Sequence, residues 1–176
     1  MSTLPDAKLF IDGKICDASD GGTYDVIGPW TGEPVCQAAD ATADDVNRAI
    51  AAARRAFDET DWSTNTAKRV ELVTKLRALF ERERVRLGAL SVHEAGAALG
   101  AVNRAHVNMA LDGWDDYLRV FDKVTWEKDY GVREAFGSMH KRVAVYEPVG
   151  VVAAITPWNV PLYVNVGKVV AALLAG

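Results

Sequence analysis

Short apolar runs separated by turn residues fill the first forty residues, and this pattern predicts strands joined by tight turns. Asp12 and Gly13 interrupt the apolar run of residues 9–15, which predicts a two-residue hairpin turn. Residues 24–27 and 34–39 are typical of two further short strands. We therefore expect the chain to open with small antiparallel units.

Beyond residue 40 the apolar positions recur every three or four residues, which predicts amphipathic helices. Thr42, followed by an acidic first turn, predicts the cap of the first helix. A second helix is predicted over residues 66–93 and a third over 101–124. The side chains expected to face the core are Val46, Ile50, Ala53 and Phe57 in the first helix, and Met109, Trp114, Leu118 and Phe121 in the third.

The pattern changes again after residue 130. Residues 139–146 alternate between apolar and polar types, which predicts an exposed antiparallel strand after a turn at 136–138. Residues 149–155 are apolar without alternation, as in a parallel strand buried on both faces. Pro157 ends this strand, and Pro161 predicts the start of a final helix. No later strand follows to pair with 149–155, so we expect that the chain is incomplete or that a partner supports its last residues.

Composition narrows the class of protein. The 176 residues are 49% hydrophobic, enough for one ordinary core, and carry a formal net charge of -4. This charge gives no electrostatic reason to expect nucleic acid or an anionic membrane as a partner. The sequence shows no secretory signal and no membrane-spanning run, so we expect a cytoplasmic protein. Cys16 and Cys36 match no metal or redox spacing and are expected to be ordinary reduced thiols.

The histidines and glycines offer no recognisable metal or phosphate motif. His93 and Glu94 lack the second histidine that a zinc motif requires. His106 and His140 stand alone and are expected to be satisfied structural residues or surface residues. No glycine-rich loop joins a strand to a helix, so the sequence predicts no phosphate cradle.

Three residues near the last predicted strand are candidates for chemistry, and each has an ordinary alternative. Asn159 follows the carboxyl end of the strand, where ligands bind in open α/β sheets, yet it is also a good helix cap. A preorganised amide there could stabilise a developing oxyanion. Trp158 is either a core aromatic residue or a cofactor contact, and Lys168 is either a snorkelling lysine or an active-site residue.

The segment around Asn159 resembles the entry to the cofactor-binding sheet of the aldehyde dehydrogenase superfamily. The family's motif after a Gly-Val-Val type of strand matches this sequence residue for residue at Pro157, Trp158, Asn159, Val160, Pro161 and Leu162. Residues 9–14 and 28–33 resemble the family's opening strand and early turn. Two departures blur the subfamily: the loop at 95–99, and Gly28 and Trp30 in the early turn.

The resemblance implies an α/β fold class, the N-terminal part of the aldehyde dehydrogenase fold. That part comprises short strands, helices, an oligomerisation arm and the first strand and helix of a Rossmann-like parallel sheet. It implies that residues 1–129 pack on the cofactor domain, that 130–148 form the arm, and that 149–176 start the cofactor-binding sheet.

The resemblance also implies roles for particular residues. The Asn159 amide would form the oxyanion hole together with a backbone N–H at the nucleophilic cysteine. Lys168 would lie near the active site, with a role in proton transfer. The backbone that would line the site for NAD or NADP belongs to Ile155, Thr156, Pro157 and Trp158.

The implied activity is NAD(P)-dependent oxidation of a small-molecule aldehyde to a carboxylic acid through a cysteine thiohemiacetal and thioester. The nucleophilic cysteine and the general-base glutamate lie beyond these residues in the family, so the segment alone is predicted to be inactive. The complete protein is expected to be a homodimer or homotetramer. The alternative is a non-catalytic truncated product that associates with a full-length subunit. A free-standing nucleotide-binding module is disfavoured, because no phosphate-holding loop is present.

Overall fold

The computed structural model describes residues 4–176 and shows a mixture of short strands and helices. No helix within these residues is both long and apolar enough to cross a lipid bilayer. The strands are β1 (Leu9–Ile11), β2 (Lys14–Cys16), β3 (Thr23–Ile27), β4 (Pro34–Ala39), β5 (Glu127–Ala135) and β6 (Ser138–Val145). The α-helices are α1 (Ala43–Glu59), α2 (Thr66–Arg82), α3 (Arg84–Ala95), α4 (Leu99–Ala101), α5 (Met109–Phe121) and α6 (Pro161–Ala175), and a π-helix occupies Val102–Asn108.

Three two-stranded antiparallel sheets account for the strands: β1–β2, β3–β4 and β5–β6. The predicted hairpin turn is confirmed, because Asp12 and Gly13 both have positive φ angles, 54° and 74°. This is the backbone that a two-residue hairpin with right-handed strand twist requires. The two further strands predicted before residue 40 are also confirmed, as β3 and β4.

A reciprocal capping box opens α1, which confirms Thr42 as the cap. The backbone N–H of Asp45 donates to Thr42 Oγ1, and the Asp45 carboxylate accepts from the backbone N–H of Thr42 at 3.0 Å. The same carboxylate accepts from the backbone N–H of Ser19 at 3.0 Å and from the Arg48 guanidinium. Asp45 is therefore buried and joins the loop before β3 to the start of α1.

Replacing Asp45 should make the protein less stable in a pH-dependent way. The N–H of Ser19, the guanidinium of Arg48 and the N–H of Thr42 hold the pKa of Asp45 well below its usual value. A depressed folded-state pKa stabilises the protein above the unfolded pKa of about 4, and this stabilisation is lost as the pH falls through the folded pKa. Asp45→Asn should lower Tm at pH 7 by roughly 3–6 °C.

Thermal melts of Asp45→Asn from pH 7 down to pH 2 test this prediction, with Asp44→Asn as the control on the exposed neighbouring position. The Tm difference from the unmodified protein should shrink as the pH falls below 4. A difference that is the same at pH 2 and pH 7 would contradict the role given to the charged carboxylate.

The apolar stripe predicted for the core side of α1 is wrong in part. Val46 and Ile50 are 48% and 49% exposed. Farther along the helix, Phe57 is half-buried beneath the guanidinium of Arg54, which lies 4.4 Å from the ring centroid. Ala53 is exposed as well, so only Phe57 of the four predicted core positions is partly buried.

The helix predicted over 66–93 is divided into α2 and α3 at Glu83, whose φ and ψ of -89° and 7° are not helical. Hydrogen bonds join the two helices at this break, because the Glu81 carboxylate of α2 accepts from Arg84 of α3 as well as from Arg77 of α2. Arg84, followed by Arg77, lowers the pKa of Glu81 to about 2. The break turns α3 so that Gly88 approaches the side chain of Val102 in the π-helix.

The main core lies between α2, α5 and α6. Trp114 is 1% exposed and meets Phe80 edge to face, with ring centroids 5.1 Å apart. The other buried members of this cluster are Val73, Ala110, Phe121, Val166, Val170 and Leu174. A smaller cluster includes side chains of the π-helix and contains Ala97, Val102, Val107 and Leu111.

The third predicted helix begins as a π-helix, and this change alters which side chains face inward. Trp114 and Phe121 are buried, and Leu118 packs against the core, as predicted. Met109 is 44% exposed, so its predicted core position is wrong. A π-helix winds more residues into each turn than an α-helix, which shifts the phase of the positions at its boundary with α5.

The hairpin of β5 and β6 stands away from the core. Its turn lies at Phe136 and Gly137, both with positive φ, which confirms the predicted turn. The predicted strand over 139–146 is confirmed as β6, and its partner β5 was not predicted. Every residue of β5 is exposed.

The strand predicted over 149–155, buried on both faces, is wrong for this structure. The segment has no regular secondary structure and pairs with no strand among residues 4–176. Val149 is 84% exposed and Ile155 is 81% exposed. A parallel strand becomes buried only when neighbouring strands and helices cover it, and residues 4–176 supply no strand that pairs with this segment.

Candidate active-site segment around Asn159

An extended segment, a bend and a helix position Asn159. Residues 151–157 have no regular secondary structure, residues 158–160 bend, and α6 begins at Pro161, which stands in its first turn as predicted. Proline suits this position because its fixed φ matches the helix and its missing N–H is not needed there.

Asn159 does not cap α6. The cap residue is Val160, with φ -139° and ψ 62°, and no side chain caps this helix. Asn159 is exposed, and its amide makes no hydrogen bond within the part of the chain that the structure describes. The capping interpretation is therefore wrong, and the amide remains available to a ligand.

Three of the four residues predicted to contact a cofactor are exposed. Ile155 and Trp158 are 81% and 83% exposed, and Thr156 is half-buried. Trp158 is thus not a core aromatic residue in this structure. The backbone from Ile155 to Trp158 makes no backbone hydrogen bond within residues 4–176. Its N–H and C=O groups are therefore available to a bound molecule, except at Pro157, which has no N–H.

Lys168 lies on α6 away from the core-facing row of that helix. The buried positions are Val166, Val170 and Leu174, whereas Lys168 is exposed. No ion pair or hydrogen bond joins Lys168 to Asn159 or to any other group in residues 4–176. Asn159 therefore lies just before α6 and Lys168 lies on α6, and no hydrogen bond joins the two side chains.

Arg54 lies against the segment at Gly150 and Arg69 lies against the end of α6, and the sequence predicted neither contact. Gly150 has φ +92°, and a Cβ there would lie 2.7 Å from Arg54 Nη1. At the other end of the unit, a Cβ on Gly176 would lie 2.8 Å from Pro148 and 3.3 Å from the guanidinium carbon of Arg69. Arginines at helical spacing are usually solvated, so the pattern alone carried no signal for these contacts.

An apolar groove of about 420 Å³ lies beside the extended segment rather than at Asn159. It contains no titratable side chain, so it offers no group for acid–base or nucleophilic chemistry. This lining is typical of a surface that packs against another segment of protein. The groove is lined by Ala53, Ala56, Phe57, Trp62, Gly150, Val151, Val152, Ala154, Val169, Ala172, Leu173 and Gly176.

The remaining titratable groups offer no competing site. Burial, followed by the nearby Asp6 and Glu94 charges, raises the pKa of the Cys36 thiol, which keeps it protonated and unreactive. Cys16 and Cys36 are both free thiols. His106 is 8% exposed and its Nδ1 has no partner among the described residues, so the expectation of a satisfied histidine is wrong there. Within residues 4–176, no three His, Cys, Asp or Glu side chains are grouped closely enough to hold a metal ion.

Comparisons with known proteins agree on one family. A family model described as "Aldehyde dehydrogenase family" matches residues 16–176. The chain is 33% identical over its whole length to the NADP/NAD-dependent aldehyde dehydrogenase PuuC of Escherichia coli, of which it spans 35%. It is 34% identical to DhaS of Bacillus subtilis, of which it spans 33%. The chain thus covers about a third of the length of these curated relatives.

Solved structures agree with the sequence comparisons. The aldehyde dehydrogenase of Mycobacterium tuberculosis, crystallised with NAD+, superposes over 99% of this chain and 35% of its own, with a TM-score of 0.88 and 34% identity. The NAD-dependent aldehyde dehydrogenase of Sinorhizobium meliloti superposes over 97% of this chain and 33% of its own, with a TM-score of 0.85 and 29% identity. The α/β fold expected from the sequence is therefore confirmed.

Proposed function

Because the chain belongs to the aldehyde dehydrogenase family, we propose that it is the amino-terminal portion of an NAD(P)-dependent aldehyde dehydrogenase. The complete enzyme would convert an aldehyde, water and the oxidised cofactor into a carboxylic acid, the reduced cofactor and a proton. The nucleophilic cysteine and the general-base glutamate would come from later parts of the protein. Residues 4–176 would contribute one donor to the reaction centre and part of the cofactor site.

The observation that carries this proposal is that the Asn159 amide, which follows residues 149–157, makes no hydrogen bond within residues 4–176. Attack on an aldehyde carbonyl places negative charge on its oxygen, and a fixed amide N–H stabilises that charge without adding charge of its own. The exposed amide, which caps no helix, supports this role. In the reaction, Asn159 would donate to the aldehyde oxygen as it becomes an oxyanion.

The exposed backbone beside Asn159 supports a dinucleotide site. The N–H and C=O groups of Ile155, Thr156 and Trp158 are unpaired within residues 4–176. In the complete protein, later strands would pair with residues 149–155, and Asn159 would then follow the carboxyl end of a sheet strand, where nucleotides bind in open α/β sheets. These residues and Pro157 would hold NAD or NADP, which supplies the hydride acceptor when it is bound. Lys168, on the exposed side of α6, would assist proton transfer.

The β5–β6 hairpin supports an assembly of like subunits, a dimer or tetramer. Both strands are exposed, and apolar side chains lie along them at 38–103% exposure. A bare hairpin of this kind gains stability when another surface covers it. The apolar members are Tyr130, Val132, Phe136, Met139, Val143 and Val145.

The two free thiols fit a reducing compartment such as the cytoplasm.

The second candidate function is a non-catalytic product that associates with a full-length subunit. The exposed segment at Val149 and Ile155 and the apolar groove favour it, because both would be covered by a partner. Such a product would carry no nucleophile of its own. Intact mass of the protein from its natural source separates the two candidates, since the enzyme requires a longer polypeptide.

Production of NAD(P)H from an aldehyde tests the proposed function. The protein expressed from its natural gene should reduce NAD or NADP only when an aldehyde is added, and carboxylic acid should form in equal amount. A protein of residues 1–176 alone should show no turnover, because it lacks the nucleophile and base. Appreciable turnover by residues 1–176 would overturn the division of roles proposed above.

A further inference from the structure

Helix α6 is held to the rest of the protein mainly by apolar contacts. Val166, Val170 and Leu174 form its buried row against α5 and α2. Two glycines make the contact with α5 close: a Cβ on Gly113 would lie 3.7 Å from the ring of Tyr163, and one on Gly167 would lie 3.1 Å from Tyr117 Oη. Apolar contacts of this kind are not directional, so they select the buried face without aligning any one group of α6 with a particular partner atom.

Arg69 supplies a directional contact that the apolar surface lacks. It lies on α2 and is 4% exposed, and its Nε donates to the carbonyl oxygen of Leu174 at 3.0 Å. Its Nη1 donates to the carbonyl oxygen of Trp62 at 2.7 Å, and its Nη2 donates to Thr66 Oγ1 at 3.2 Å. Within residues 4–176, the bond to Leu174 is the hydrogen bond that joins α6 to another element.

Arg69 contacts α6 through a hydrogen bond to a neutral oxygen rather than through an ion pair. No carboxylate lies within salt-bridge distance of Arg69 in the described residues, and burial lowers the pKa of its guanidinium. The carbonyl oxygen of Leu174 is neutral, so the contact is a hydrogen bond from a charged donor to a backbone acceptor. The planar guanidinium reaches this carbonyl and the 62–66 region at once, which a lysine could not do.

We propose that Arg69 is a positioning residue that sets the axial position of α6 and, through it, the place of the Asn159 amide. This inference rests on the proposed function. A helix transmits an axial shift from its last turn to its first, because its hydrogen-bond ladder fixes the rise per residue. Asn159 lies just before that first turn. A displacement of about 1 Å at a reacting group can lower a rate about a hundredfold.

Steady-state kinetics of the complete enzyme test the proposal. Arg69→Met keeps much of the side-chain length but removes every donor, Arg69→Lys keeps one point donor, and Arg82→Met is the control on the exposed side of the same helix. Arg69→Met should lower kcat by about 10- to 100-fold per folded molecule, with the aldehyde KM changed by no more than about twofold. Arg69→Lys should recover part of that loss, and Arg82→Met should behave like the unmodified enzyme.

A merely structural Arg69 would give a different result. In that case Tm would fall in Arg69→Met while kcat per folded molecule stayed at the unmodified value, and the proposal would be overturned. If Arg69→Met does not fold, Arg69→Lys decides: unchanged kcat overturns the proposal, and reduced kcat at unchanged KM supports it. An unmodified enzyme with no aldehyde-dependent activity would overturn the proposed function itself.

Discussion

Asn159→Ala in the complete enzyme is expected to lower kcat by about 10²- to 10³-fold. The loss should appear in kcat with little change in the aldehyde KM, because the amide donates most strongly when the carbonyl oxygen carries negative charge. Stability should not change, since the Asn159 side chain makes no hydrogen bond within residues 4–176 and Val160 is the cap residue of α6. Asn159→Asp should lower kcat further, because a carboxylate repels the oxyanion.

The matched control is Asn165→Ala, which removes an exposed amide from α6 itself. It should leave kcat, KM and Tm close to those of the unmodified enzyme. Equal losses in the two alanine variants would mean that any change near this helix impairs the enzyme. An unchanged kcat in Asn159→Ala would remove the oxyanion role outright.

Trp114→Ala should cost about 3–5 kcal/mol in the free energy of unfolding. The indole is 1% exposed, packs edge to face on Phe80 at 5.1 Å, and belongs to the cluster that buries Val166 and Val170 of α6. Its removal leaves a cavity that these neighbours fill only in part. Trp114→Phe should cost less, since it keeps an aromatic ring and removes an indole N–H that has no partner among the described residues.

Urea unfolding of the Trp114 variants measures this effect, with Trp30→Ala as the control at a tryptophan that is 71% exposed. The control should lie within about 0.5 kcal/mol of the unmodified protein. Similar losses for Trp114→Ala and Trp30→Ala would contradict the placement of the core between α2, α5 and α6.

Features fixed by a few neighbouring residues could be predicted from the sequence. The turn at Asp12 and Gly13, the cap at Thr42 and the helix start at Pro161 all follow from local backbone preference. Each needs only two to four residues to agree, so no distant contact overrides it.

Features that depend on distant partners could not be predicted in the same way. The break at Glu83 and the π-helix before Met109 fall within segments whose apolar periodicity is continuous, so the sequence pattern concealed both. The apolar pattern predicted that Val46 and Ile50 face the core, and both are exposed, because a pattern does not say what covers a residue.

The candidate site likewise combines features that neighbouring residues predict with features that depend on distant partners. The spacing around Asn159 left a helix cap and an oxyanion donor as alternatives, and the geometry of Val160 removes the cap. The resemblance to the family supplied the donor role, which stays a proposal. Arg69 carried no signal in the sequence, because its function depends on a carbonyl 105 residues away.

The most direct test purifies the protein from its natural source by its aldehyde-dependent NAD(P)H production and then measures the intact mass of the active polypeptide. We expect these 176 residues to lie within an active polypeptide about three times as long, as in the relatives of which they span a third. Recovery of these residues only in an inactive polypeptide near 19.1 kDa would contradict it.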